Sequence, residues 1–185
     1  MSTLENKKII FAGPVGAGKT SSIQTVSDIP IVRTNAKASN IAAEQQPIST
    51  IAMDYGLIHL SENEKIHLYG TPGQERFGFM RDTLKKGTTG IILLLDNSRE
   101  NPEKDFTFFT QTYKDFIKKG DVVMGVTKMD IANKPTIQNY RSWIEKLPIA
   151  MPVFSVDARE RKDVSTLLQT LLYTVNDGIK AQPTD

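Results

Sequence analysis

Five short apolar runs recur along the chain: KIIFA (8–12), KIHLY (65–69), GIILLLD (90–96), DVVMGV (121–126) and MPVFSV (151–156). The third and fourth are almost unbroken, the pattern of strands covered on both faces. Between these runs the apolar positions return every three or four residues, which is the period of a helix with one buried stripe. Phe106, Phe109, Tyr113, Phe116 and Ile117 form one stripe, introduced by Asn101 as a cap and Pro102 in a first turn. Ile137, Tyr140, Ile144 and Leu147 form another, and Val164, Leu167, Leu168, Leu171, Leu172 and Val175 a third. Strands alternating with helices predict an α/β fold around a mostly parallel sheet. LIHL and KIHLY, separated by SENE, predict a hairpin and hence one antiparallel edge strand. The stretch from Ile29 to about Ser49 carries no strong period, and a loop that long is usually functional.

Composition narrows the picture. The 185 residues suit a single domain, with 39% hydrophobic and 24% charged residues and a formal charge of +2. That charge gives no nucleic-acid footprint. There are no cysteines, so disulfides, thiolate metal sites and prenylation are excluded, as expected of a cytoplasmic protein. Ser2 excludes N-myristoylation, and no apolar run approaches the roughly 20 residues of a transmembrane helix. His59 and His67 have no companions at metal-ligand spacing and read as strand-face residues. The expected organisation is an N-terminal extension (1–6), one domain (7–178) and a tail (179–185).

Chemistry enters at GPVGAGKTS (13–21), which fits G-x-x-x-x-G-K-[ST] and lies between an apolar strand and a helical stretch holding Ile23 and Val26. Gly13, Val15, Gly16, Ala17, Gly18, Lys19, Thr20 and Ser21 would curl the backbone so that its N–H groups face phosphate oxygens at a helix N-terminus. Lys19 would meet the β- and γ-phosphates, and Thr20 would offer its hydroxyl to Mg²⁺. A second motif, TKMD (127–130), ends the run DVVMGV. The Asp130 carboxylate can accept two hydrogen bonds from the ring N–H and amine of guanine, a donor pair that adenine lacks. The Lys128 stem can lie along the base.

The order of motifs, from the phosphate loop through PISTIAMDYG, TPGQERF and TKMD to VDARE, resembles that of Ras-like small GTPases over about residues 7–176. The likeness is strongest to the bacterial and archaeal, MglA-like group. It implies a small G domain with a mostly parallel six-stranded sheet, GTP and GDP as ligands, and Mg²⁺ as the metal. By position it makes Thr50 (or Ser49) the switch threonine on the metal and Gly73 a donor to the γ-phosphate. Gln74 would orient the attacking water. Thr127, Lys128 and Asp130 match the guanine motif, with threonine in place of the commoner asparagine. Asp157, Ala158 and Arg159 align with the loop that brings a backbone N–H to guanine O6. The resemblance also implies effector and regulator proteins as partners, a roadblock-fold activator among them.

Three departures bear on the chemistry. Gly70 stands where the family carries an aspartate that holds a metal-bound water; Asp54, four residues after Thr50, is the candidate substitute. Val15 replaces a common glycine and crowds the place where Gln74 and an incoming arginine would meet, which predicts slow intrinsic hydrolysis. Pro72 restricts Thr71 and removes a donor ahead of Gly73. Arg33, Arg76 and Arg81 are in-chain candidates for transition-state charge. The expected function is a GTP-hydrolysing molecular switch acting through its switch loops. A non-catalytic GTP-binding module is the alternative, and a small-metabolite kinase would leave TKMD without a purpose.

Overall fold

The computed structural model describes residues 6–37, 50–73 and 78–180, with the side chains of residues 34–37, 50–52 and 177–180 excepted. In chain order the elements are β1 (Lys7–Ala12), α1 (Lys19–Val26), β2 (Val32–Lys37), β3 (Thr50–His59), β4 (Lys65–Gly70) and α2 (Gly78–Lys85). They continue with β5 (Gly90–Asp96), α3 (Pro102–Thr112), α4 (Lys114–Lys119), β6 (Val122–Thr127), α5 (Ile137–Ile144), β7 (Val153–Ser155) and α6 (Arg161–Lys180). All seven strands form one sheet in the order β2-β3-β4-β1-β5-β6-β7.

The sheet is parallel from β4 to β7, while β3 pairs antiparallel with both β4 and β2. It has one strand more than the six expected. The addition is β2, VRTNAK, which falls in the stretch that shows no period. One clearly apolar residue in six is enough for a strand that has a ladder partner on one side alone among the described residues.

Period-2 alternation sends each strand's side chains to two cores. Ile9, Phe11, Leu68 and Leu94 pack with Ile23 of α1 and Leu167 and Leu171 of α6. Ile10, Leu93, Leu95 and Met124 pack on the other face with Phe106 and Phe109 of α3 and Tyr140 of α5. Every residue of β5 and β6 is buried, as their unbroken apolar runs predict. The stripe from Phe106 to Ile117 is carried by two helices, not one, because the backbone bends at Tyr113 (φ −111°, ψ 21°). Asn101 caps α3 as expected, its side chain accepting from the Lys104 N–H at 2.9 Å. Helix α2 was not signalled by the sequence pattern.

Strand β1 sits between β4 and β5, so the chain leaves it toward the β2 edge and returns across it, from β4 to β5, toward the other. In open α/β sheets the crevice at the carboxyl ends of the strands beside such a reversal is where ligands bind. The loop that follows β1, the end of β5 at Asp96 and the end of β6 at Thr127 all meet there.

Candidate functional site

The phosphate loop leaves β1 at Gly13, whose φ of 141° and lack of a side chain bring it against β5: a Cβ there would lie 2.0 Å from the Leu94 carbonyl oxygen. Gly18, at φ 92°, opens α1, and a Cβ would fall 2.7 Å from that of Ala158. Glycine at these two points lets the loop wrap tightly between β5 and the 157–159 turn. Inside the curl, Lys19 Nζ donates to the carbonyls of Gly13 at 2.8 Å and Pro14 at 2.6 Å. Burial pulls Lys19 down to about 8; Asp54 opposes that shift and Arg99 adds to it.

The guanine-motif residues are assembled at the other end of one cleft, lined by Gly16, Ala17, Gly18, Ser21, Thr127, Lys128, Asp130, Asp157, Ala158 and Arg159. Thr127 shares its hydroxyl between the carbonyls of Ala17 at 3.1 Å and Leu95 at 3.2 Å, tying β6 to the phosphate loop. Lys128 holds a left-handed backbone (φ 59°) and reaches over Gly16 to Asp96, Nζ to Oδ2 at 2.7 Å. Burial opposes ionisation of Asp96, yet hydrogen bonds from Lys128 and from the Ser98 hydroxyl and N–H hold its carboxyl below the ordinary range. The Asp130 carboxylate is exposed in the cleft, and among the described residues nothing hydrogen-bonds it.

The 157–159 turn is self-braced. Arg159 donates Nε to Asp157 Oδ1 at 2.9 Å and Nη2 to Oδ2 at 2.6 Å, a bidentate pair that draws Asp157 down to about 2. The Asp157 N–H donates to Asp163 at 2.8 Å, and Thr25 of α1 donates its hydroxyl to the Ala158 carbonyl at 3.0 Å. Both Asp157 side-chain oxygens are thereby engaged within the turn, leaving Ala158 as the neutral backbone floor of the cleft.

Asp54 and Gly70 are register partners between β3 and β4. A Cβ on Gly70 would lie 3.3 Å from the Asp54 Cβ and 3.5 Å from its Oδ2, so the Asp54 side chain fills the space beside position 70. Oδ2 accepts a short hydrogen bond from the Thr20 hydroxyl. Oδ1 faces Arg33 Nε at 3.4 Å. A hydroxyl and a carboxylate in contact are hard oxygen donors of the kind Mg²⁺ takes, and that ion keeps most of its waters. The residues present therefore fit the metal. Arg33, with a side chain 67% exposed, is engaged by the same carboxylate.

Beyond Gly70 the chain runs back over the phosphate loop. Thr71 donates from its backbone to the Phe11 carbonyl at 3.0 Å. Gly73 packs so closely that a Cβ would lie 2.4 Å from the Val15 nitrogen. Val15, 54% exposed, does not line the cleft but a separate cavity beside Gly73 and Arg99. Ser49, Gln74 and Arg76 lie outside the described residues, and of Thr50 only its place as the first residue of β3 is described. Sequence reasoning missed Asp96, Asn97, Arg99 and Thr25. A polar pair closing an apolar strand, LLLDN, is the one signal that could have pointed to the first two.

The family model described as "conserved hypothetical ATP binding protein" matches residues 34–181. "Mutual gliding-motility protein MglA" of Myxococcus xanthus is 25% identical over 146 residues, covering 74% of each chain. The chain belongs to the family of that model, and it resembles the Ras-like small GTPases of the MglA-like group. An uncharacterized protein of Methanocaldococcus jannaschii is 33% identical over 98 residues, 53% of this chain and 56% of that one. The Ras-related protein RabC of Dictyostelium discoideum is 23% identical over 181 residues, covering 94% of this chain and 85% of RabC. Among solved structures, the G domain of the FeoB iron transporter of T. maritima superposes with a TM-score of 0.62 at 18% identity, covering 95% and 99% of the two chains. That superposition bears out the G-domain fold. In this Ras-like chain the matched span 34–181 holds Asp54, Asp130 and Ala158, while the phosphate loop precedes it.

Proposed function

We propose that the chain binds GTP and GDP with Mg²⁺, hydrolyses GTP to GDP slowly, and acts as a switch whose segments before Thr50 and after Gly73 bind partner proteins. The observation that carries this reading is the cleft itself. Gly16, Ala17 and Gly18 of the phosphate loop line one end, and a carboxylate without a hydrogen-bond partner among the described residues, Asp130, lies at the other. Asp130 and the Ala158 backbone supply an acceptor pair and an N–H, which complement guanine and leave adenine unmatched. Thr20 and Asp54 would hold Mg²⁺, which neutralises phosphate charge when bound. Lys19 would exchange the carbonyls of Gly13 and Pro14 for phosphate oxygens, and Gly73 would present its N–H to the terminal phosphate. Gln74 would orient the water. Activating partners, a roadblock-fold protein among them, and a cytoplasmic location belong to the same proposal; no helix among the described residues is long and apolar enough to cross a membrane.

The family description names ATP, and it favours a second reading in which Asp130 is a solvated surface carboxylate. Mass analysis of nucleotide released from the purified protein separates the two. GDP or GTP, with a preference over ADP of at least about a hundredfold in competition, is expected. Equal uptake of ADP overturns the guanine reading. Single-turnover assays then test catalysis: intact GTP after hours, with cell extract added, favours a non-catalytic module.

A further inference from the structure

Arg99 follows β5 by three residues and lies on the far side of the phosphate loop from the nucleotide cleft. Its Nε is held by Asp105 of α3 at 2.6 Å, and its Nη1 lies 3.4 Å from the Val15 carbonyl oxygen. The second distance is long for a hydrogen bond. The first is short, and it fixes the plane of the guanidinium with Nη1 toward the loop. Pro14, Val15, Gly73, Arg99, Asp105 and Phe108 surround one outer cavity there.

The peptide that this arginine meets has two ends. Its carbonyl is that of Val15, and its N–H is that of Gly16, which lines the cleft. The bond is trans, so carbonyl and N–H point in opposite directions. A cation at the oxygen therefore fixes the rotation of the peptide plane and deepens the positive end of its dipole on the opposite side, where an anion would sit.

We propose that Arg99, oriented by Asp105, is a positioning residue that aims and polarises the Gly16 N–H toward the phosphates of the bound nucleotide. The proposal deepens the reading of the cleft as a nucleotide site and rests on it. It differs from a role for an arginine that itself touches phosphate, because Arg99 acts through the Val15–Gly16 peptide.

The test compares wild type, Arg99→Ala and Asp105→Asn by two measurements. Calorimetry gives affinities for GDP and guanosine, with ADP and adenosine run in parallel. Amide NMR of the nucleotide-free protein follows the Gly16 N–H. In Arg99→Ala the diphosphate is expected to weaken by about tenfold, the scale of one charge-assisted hydrogen bond, while the nucleoside is unchanged. The Gly16 amide should move in Arg99→Ala and, to a smaller extent, in Asp105→Asn. Equal weakening of diphosphate and nucleoside overturns the proposal, since that is loss of structure. So does a weaker diphosphate with an unmoved Gly16 amide, which is a field effect without the peptide. If the wild type prefers ADP, the guanine reading fails while the diphosphate-to-nucleoside ratio still decides the role of Arg99. If it binds neither diphosphate, both readings fall.

Discussion

The Asp54 side chain reaches the space beside Gly70 from the neighbouring strand, and that placement makes a testable claim. Because the Asp54 side chain already fills the space beside Gly70, restoring the family's aspartate with Gly70→Asp forces two carboxylates together and presses Ile23, 3.2 Å from the new Cβ. The variant should lose about 1–3 kcal/mol in urea unfolding, and adding Asp54→Ala should recover a good part of it. Additive losses in the double variant would show that the two positions do not share one space. Asp54→Ala alone should raise the half-saturating Mg²⁺ for GTP binding by about 10–100-fold, by analogy with other groups that support a metal site. Lys19 gives a pH prediction. Its folded value of about 8 lies below the ordinary 10.5, chiefly through burial. Between those values the unfolded chain holds a proton that the folded chain has released, so stability rises with pH across that window, and the cost of burying the charge is fully present below pH 8. In nucleotide-free protein, the stability of wild type relative to Lys19→Met should therefore improve by up to about 3 kcal/mol from pH 7 to pH 10. A flat difference would mean that the ammonium is as well solvated folded as unfolded.

The elements were legible in proportion to how completely they are buried. Strands β5 and β6 show as apolar runs because both faces meet helices, and α6 shows as a stripe because one face does. Strand β2 was invisible because VRTNAK needs only a ladder partner on one side, and a ladder leaves no mark on side-chain polarity. The motif order made the phosphate loop and the 127–130 loop readable, but not what holds them together. Asn97, 1% exposed just past β5, anchors the second of these loops. Its Nδ2 donates to the carbonyls of Ala132 at 2.6 Å and Pro135 at 3.0 Å, and its Oδ1 accepts from Tyr140 at 2.9 Å. It fixes the loop after Asp130 from beneath. Asn97→Ala would leave the buried Tyr140 hydroxyl without this partner, at a cost of about 1–3 kcal/mol before relaxation, and would release two part-buried carbonyls. Thermal denaturation should fall accordingly, and the preference for GDP over ADP should fall with it, because Asp130 would no longer be held against the base. Lost stability with unchanged base preference would confine Asn97 to the core.

At the scale of the whole molecule the cleft is a junction of three segments far apart in sequence: 13–20 after β1, 127–130 after β6 and 157–159 before α6. What holds them in place in the described structure is a handful of polar contacts laid over two apolar cores: Thr127 to Ala17 between the first two, Lys128 to Asp96 at the end of β5, and Ala158 to Thr25 of α1. Such partnerships depend on which strand ends the sheet places side by side, so no local pattern announces them, and Arg99 beside Val15 was unreadable for the same reason. A ligand that grips all three segments must stabilise the fold as a unit. GDP at a hundred times its Kd should add about 2.7 kcal/mol, which for a chain of this size raises Tm by roughly 5–11 °C. Guanosine at the same multiple of its own Kd should add the same free energy, yet protect different amides. Hydrogen exchange should slow at 127–130 and 157–159 with either ligand, but at 13–20 only with the diphosphate, since only phosphate draws on the loop's N–H groups. Protection of 13–20 by guanosine alone would mean that the base end of the cleft already orders the phosphate loop, and that the two halves of the site are one cooperative element rather than two joined ones.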